Sequence, residues 1–281
     1  MTNKLSLTFK KEKKIVIGMI HFPPLLGYKD FPGIDVCLEL SLQDAKTLEQ
    51  CGVDGLMVEN NYDTPHKAFV DPETVALMTY LTKEIVDSVS VPVGVNVLWN
   101  DYRAALSIAK VCSCKFIRVP VFVDSVRTQY GEIMAEPEKV LAFREEINAS
   151  DVALFTDIHV KHAKMLEKKT ISESAKEAIE KGSDAIIITG KWTGDAPDVS
   201  DLKEAREAAG KNFPILIGSG ATKENANTLL QYANGVIVAT SLKTGEVRSK
   251  EEEVNLKPWQ ERISLAKTKE FMKKVSSGGT S

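Results

Sequence analysis

Lys181-Gly182-Ser183-Asp184-Ala185-Ile186-Ile187-Ile188-Thr189-Gly190 is the stretch on which the reading of the fold turns. It closes a run, 172–181, whose apolar residues recur at helical spacing. Gly182 follows as a helix C-cap, and Asp184 opens the next element. Residues 185–189 are apolar or β-branched throughout, as a strand buried on both faces must be. The same order of helix, Gly-x-Asp and apolar run recurs at Gly52-Val53-Asp54 ahead of 55–58, a weak internal repeat. Working outward, strand-like runs lie at 15–20, 55–58, 93–97, 116–119, 152–157, 185–189, 215–218 and 235–239. Between them stand helical patterns such as 71–88, 101–111 and 223–232, with Ser172 and Thr222 placed as N-caps.

Eight strands in βα alternation predict an α/β fold, a single (β/α)8 TIM barrel of the phosphate-binding type. The barrel is expected over 15–275, after a polar, lysine-rich extension at 1–14 and before a flexible tail at 276–281. A last helix is expected over 256–275, packing Trp259, Ile263 and Phe271 on the barrel. Joins from helix to strand are short, as at 51–54, 181–184 and 233–235. Joins from strand to helix are long: 21–34, 59–70, 120–136, 190–199 and 240–256. One face is trimmed and the other elaborated, and in this fold the elaborated face binds substrate.

Composition narrows the function classes. The 281 residues are 43% hydrophobic and 27% charged with a net charge of -3, which suits one large core. No basic stripe points to nucleic acid. Cys37, Cys51, Cys112 and Cys114 match neither zinc-ribbon spacing nor a disulfide scaffold and read as reduced thiols. No apolar run reaches the roughly 18 residues of a membrane span, and the N-terminus lacks the apolar core of a signal peptide. A cytoplasmic protein is expected, with homo-oligomer formation left open.

The chemistry is read at the strand ends. Gly218-Ser219-Gly220-Ala221-Thr222 follows the seventh strand and Ala239-Thr240-Ser241 the eighth. Glycines there let backbone N–H groups approach an anion, and barrels that bind phosphorylated substrates seat the phosphate between these two loops. Gly218, Ser219, Gly220, Thr240 and Ser241 are therefore the expected phosphate site. Polar residues where apolar strands stop are costly unless paired or used. Asp157 and Glu59 are expected to exchange protons with the substrate, Asp157 foremost, and His21 and His159 to complete the catalytic set. Asn60, Asn96, Arg118, Lys161 and His162 are expected to bind substrate, with Thr193 and Gly194 on a loop, 192–198, that closes over it. No cofactor is required. The alternative is a divalent metal held by Asp157, His159 and His162, or by His21, in a hydrolase or lyase. Lys191 lies just past the sixth strand, where barrel aldolases can carry an imine-forming lysine. Such a lysine needs desolvation or a cationic neighbour, and a solvated loop lysine is expected instead.

With these residues in place, the chain resembles the BtpA family, predicted barrel proteins that include members from bacterial sugar gene clusters. The resemblance runs from about residue 15 to 243 along Gly18-Met19-Ile20-His21 with Pro23-Pro24, Gly52-Val53-Asp54-Gly55 and Val58-Glu59-Asn60. It continues through Gly94-Val95-Asn96-Val97-Leu98, Phe116-Ile117-Arg118-Val119 and Asp157-Ile158-His159-Val160-Lys161-His162-Ala163. Thr189-Gly190, Thr193-Gly194, Gly218-Ser219-Gly220 and Thr240-Ser241-Leu242-Lys243 complete it. It implies kinship with phosphate-binding barrels such as phosphoribosylanthranilate isomerase and the tryptophan synthase alpha chain. It names no reaction, and one member links the family to photosystem I accumulation. The leading expectation is an isomerase or lyase acting on a small phosphorylated sugar or related metabolite. A non-enzymatic assembly factor stands beside it.

Overall fold

A computed structural model describes residues 3–245 and 257–277. The first half of the chain runs α1 (Lys4–Phe9), β1 (Ile15–His21), α2 (Ile34–Gln50), β2 (Gly55–Glu59), α3 (Pro72–Ser88), β3 (Val93–Asn96), α4 (Tyr102–Cys112) and β4 (Phe116–Val119). Then come β5 (Val126–Thr128), β6 (Gly131–Ile133), α5 (Pro137–Glu146), β7 (Ala153–Ile158), β8 (Lys164–Met165), α6 (Ile171–Glu180) and β9 (Ala185–Ile188). The last elements are α7 (Val199–Ala209), β10 (Ile215–Ile217), α8 (Ala226–Leu229), β11 (Gly235–Val238) and α9 (Leu265–Ser277). Eight parallel strands close in the order β1-β11-β10-β9-β7-β4-β3-β2. This is the (β/α)8 barrel expected, with each strand within one residue of its expected ends. No helix among the described residues is long and apolar enough to cross a membrane.

The Gly-x-Asp repeat has a physical cause. Gly52 and Gly182 hold φ of 81° and 89°, the left-handed turn that ends each helix. The Asp54 amide then donates to the Val16 carbonyl at 2.8 Å, while its carboxylate accepts the Val16 N–H at 2.8 Å. Asp184 grips Leu154 the same way at 2.8 and 2.9 Å, and Asn234 grips Ile215 at 2.7 and 3.0 Å. A polar residue just before a strand thus clamps its neighbour and sets the register.

Three expected boundaries differ. The N-cap of α6 is Thr170, in a capping box with Glu173, so Ser172 lies inside the first turn. The expected helix at 223–232 shortens to α8, because the Asn225 side chain takes the Thr222 N–H at 2.8 Å and the N-cap position with it. The last helix begins at Leu265: Ile263 pairs with Lys243 instead, its N–H tied to the Asp44 carboxylate at 2.9 Å. Leu256 and the tail at 278–281 lie outside the described residues.

The segment read as a polar extension contains α1, capped by Asn3, whose side chain accepts the Ser6 N–H at 2.8 Å. Leu5 and Phe9, four apart on one face, are buried at the N-terminal end of the barrel with Ile15, Ala153 and Ala185. The Phe9 ring lies 5.5 Å from Phe116 and 6.4 Å from Phe155, which stack on each other at 4.8 Å. Gly55 makes room, since a Cβ there would sit 2.6 Å from the Phe9 ring. Phe9→Leu should therefore cost about 0.5–1.5 kcal/mol from lost aromatic pairing. It should appear as a lower urea midpoint at unchanged slope. An unmoved midpoint would mean that α1 docks without stabilising the barrel. At the opposite end, the antiparallel sheet β6-β5-β8 rises over the mouth on Trp99, Val121, Val126, Ile133 and Val160.

Candidate functional site

Five adjacent strands deliver one line of polar groups to the C-terminal mouth. His21 ends β1 and Glu59 ends β2 in register with it, and Asn96 ends β3 opposite Glu59. Arg118 comes from β4 and Asp157 from β7. Arg118 Nε and Nη2 each donate to Asp157 at 2.7 Å, a bidentate pair with the Asp157 side chain fully enclosed. Arg118 Nη1 also lies 4.0 Å from Glu59. Asn96 donates to Glu59 Oε2 at 2.6 Å, and His21 Nε2 faces Glu59 Oε1 at 3.4 Å. Behind His21, Lys243 Nζ lies 3.3 Å from Nδ1 and donates to the Tyr62 hydroxyl at 3.0 Å. Burial, and then the positive charge of Lys243, Lys161, Arg262 and Arg118, hold His21 well below the ordinary histidine range. The imidazole is thus held neutral, and with the Lys243 amine donating at Nδ1 its Nε2–H is left to donate to Glu59.

His21, Glu59 and Arg118 of this line border a cavity of about 140 Å³. One wall holds His21, Glu59, Asn61, Arg118 and Lys161; the facing wall is Gly218–Thr222 and Ala239–Ser241, with Thr193 and Gly194 above. The N–H groups of Gly220, Ala221, Thr240 and Ser241 have no acceptor among the described residues, so they remain available to an anion. The Ser219 and Ser241 hydroxyls serve the loops instead. Ser219 accepts the Gly190 N–H at 3.0 Å and donates to Asp195 at 2.8 Å, and Ser241 donates to Ala221 at 2.8 Å. Gly220, at φ 67°, lets Asp195 and Ala196 close in, for a Cβ there would fall 2.0 Å from the Ala196 nitrogen.

The structure brings together most of the expected residues and removes others from the ligand's reach. Asp157, expected to be the leading acid or base, does not border the cavity; it holds Arg118. Asn96 likewise acts on Glu59, and Asn60 spends its side chain on Leu98 and Asp63. His159 faces a separate outer hollow with Lys191, Trp192 and Asp201, and His162 borders that hollow too. The alternative metal triad is therefore not assembled. Asp157 is committed to Arg118, and His162 bonds Thr193. No group of three or more His, Cys, Asp or Glu among the described residues could hold a metal ion. Lys191 is exposed, the solvated lysine expected.

Sequence reasoning missed Asn61, Lys243 and His66. Lys243 is 2% exposed, and burial together with Arg262 pushes its amine down to about 7. His66 is buried with neither ring nitrogen paired among the described residues, and it borders a third hollow of about 40 Å³ beside Glu59, Arg118 and Lys161. Nothing local in the long 59–70 loop announced it, whereas Lys243 stood inside the quoted Thr240-Ser241-Leu242-Lys243 string.

A closed eight-stranded parallel barrel with its polar groups and elaborated loops at one mouth defines a (β/α)8 protein. Thiamine phosphate pyrophosphorylase from Pyrococcus furiosus superposes with a TM-score of 0.58 at 13% identity, over 98% of this chain and 100% of that one. Phosphoribosyl anthranilate isomerase from Thermus thermophilus gives 0.57 at 12%, over 94% and 98%. The chain belongs to the BtpA family, whose model matches residues 12–267. The photosystem I biogenesis protein BtpA of Synechocystis sp. is 42% identical over 231 residues, 81% of this chain and 80% of that one.

Proposed function

We propose that this protein is an enzyme that binds a small phosphorylated metabolite at the barrel mouth and performs acid/base isomerase or lyase chemistry on it. One observation carries the reading. A single cavity has, on one side, glycine loops after β10 and β11 whose N–H groups are unpaired among the described residues, and on the other a carboxylate, an imidazole, a guanidinium and a lysine amine. The first side suits a phosphate; the second suits the carbon that reacts. Glu59 is the proton acceptor, one oxygen fixed by Asn96 and the other beside His21. Arg118, aimed by Asp157, stabilises the negative charge that develops on a neighbouring substrate oxygen. Binding energy from the phosphate positions that carbon. The structural neighbours supply the fold only.

The first test is thermal stabilisation by inorganic phosphate and a panel of phosphorylated sugars. A ligand at about 100 times its Kd adds about 2.7 kcal/mol. Thr240→Asp, which sets a carboxylate at the loop after β11, should abolish the shift while leaving the unliganded melting temperature near that of the wild type. If no phosphorylated compound shifts the wild type, or if the variant still responds, the phosphate site is refuted. The name of the Synechocystis relative supports a second reading, an assembly factor whose barrel senses a ligand. On that reading the same compound stabilises the protein but is recovered unchanged after prolonged incubation, as phosphorus NMR would report.

A further inference from the structure

An amine that attacks a carbonyl must be freed of its proton, by desolvation or by a cationic neighbour. Lys191 has neither, being exposed on the rim of the outer hollow. Lys161, four residues past Asp157, meets both conditions. It is the one lysine among the described residues that borders the central cavity, and it also borders the outer hollow and the small third one. It therefore stands where the three spaces meet, sharing walls with Glu59 and Arg118. Its side chain makes no ion pair among the described residues; its hydrogen bond goes to the Thr193 hydroxyl at 3.3 Å. Desolvation first, and then the Arg118 charge, push its amine down to about 8.

The backbone holds it there at a cost. His159 and His162 adopt φ of 47° and 58°, left-handed values that side chains other than glycine seldom take. The Lys161 N–H between them is fixed on the Thr189 hydroxyl at 3.0 Å. The Thr193 N–H donates to His162 Nε2 at 3.1 Å, so that nitrogen is an acceptor. The Thr193 hydroxyl lies 2.8 Å from the same nitrogen and accepts from Lys161. Burial pushes His162 down to about 4, so its ring is a neutral group that fixes Thr193 beside Lys161.

We propose that Lys161 is a catalytic amine that forms an imine with the carbonyl carbon of a phosphorylated aldehyde or ketone. The proposal rests on the phosphorylated-ligand reading and names the substrate's reacting group. The nitrogen lone pair attacks the carbonyl carbon, and the C–O π pair moves onto oxygen. That oxygen takes up the proton the attacking nitrogen gives up, the Thr193 hydroxyl beside Lys161 being placed to pass it, which leaves a neutral carbinolamine. Its hydroxyl then takes one proton from solvent water and leaves as water while the nitrogen lone pair forms a protonated C=N bond. That cation acidifies the neighbouring C–H bond, within the domain of Glu59.

The test is reductive trapping of the full-length protein with sodium borohydride in the presence of dihydroxyacetone phosphate, glyceraldehyde 3-phosphate or their unphosphorylated parents. Intact mass and peptide mapping locate the adduct. A single adduct on Lys161, at least tenfold weaker in Lys161→Arg and undiminished in Lys191→Met, is the expected result. If Lys161→Arg fails to fold, mapping on the wild type decides alone. An adduct spread over surface lysines, or none from a compound that thermal shift shows to bind, overturns the imine and leaves the phosphate site standing. If only unphosphorylated carbonyls are trapped on Lys161, the imine stands and the phosphorylated-ligand reading falls. If no carbonyl of either kind is trapped there, Lys161 is not the nucleophile.

Discussion

Glu59→Gln should lower turnover of the phosphorylated substrate by about 10²- to 10⁴-fold, the contribution of a positioned proton-transfer group. The change keeps the shape of the side chain and its bond from Asn96, which donates to the acid oxygen at 2.6 Å. Affinity should therefore stay within about tenfold, because the loss falls on the transition state rather than on binding. The measurement is incorporation of deuterium from solvent into the ligand, beside Kd by calorimetry. Exchange that persists in the variant would move the base elsewhere on the wall. A parallel loss of affinity and exchange would make Glu59 a binding residue.

Asp157→Ala should destabilise the protein by about 3–5 kcal/mol, because it leaves the Arg118 guanidinium enclosed in the barrel wall without its partner. Glu59 at 4.0 Å is too far to replace two bonds of 2.7 Å. The double variant Arg118→Met with Asp157→Leu should regain most of that stability, since removing both charges removes the desolvation cost as well. It should still be inactive, for want of the cation at the cavity. Urea unfolding reads both results. A stable Asp157→Ala protein with lost turnover would restore Asp157 as the acid or base, against the geometry.

Asp157 shows where a linear reading stops. A carboxylate at the end of an apolar strand must be paired or used, and both outcomes carry the same sequence. Its partner is Arg118, 39 positions away, brought beside it only because β4 and β7 are neighbours. Glu59 has the same local signature but meets Asn96 and His21, which leave it bordering open space. Lys191 and Lys161 divide in the same way: Lys191 is the nearer to a strand end, yet two left-handed histidines aim Lys161 at the cavity. In α1 two apolar residues at helical spacing were outweighed by the lysines around them, and only a barrel open at that end gives Phe9 somewhere to go.

The sequence by itself determined the barrel, its eight strands, the elaborated face and the two glycine-bearing loops after β10 and β11. Each is written in short-range features: period, caps, Gly-x-Asp clamps and glycine turns act within a few residues of themselves. The tertiary structure alone decided which carboxylate borders the cavity, which lysine stands beside it and how the barrel is closed beneath. Those outcomes depend on distances between strands far apart in the chain and on the burial they share, and a charge is worth most, or costs most, where water has been removed.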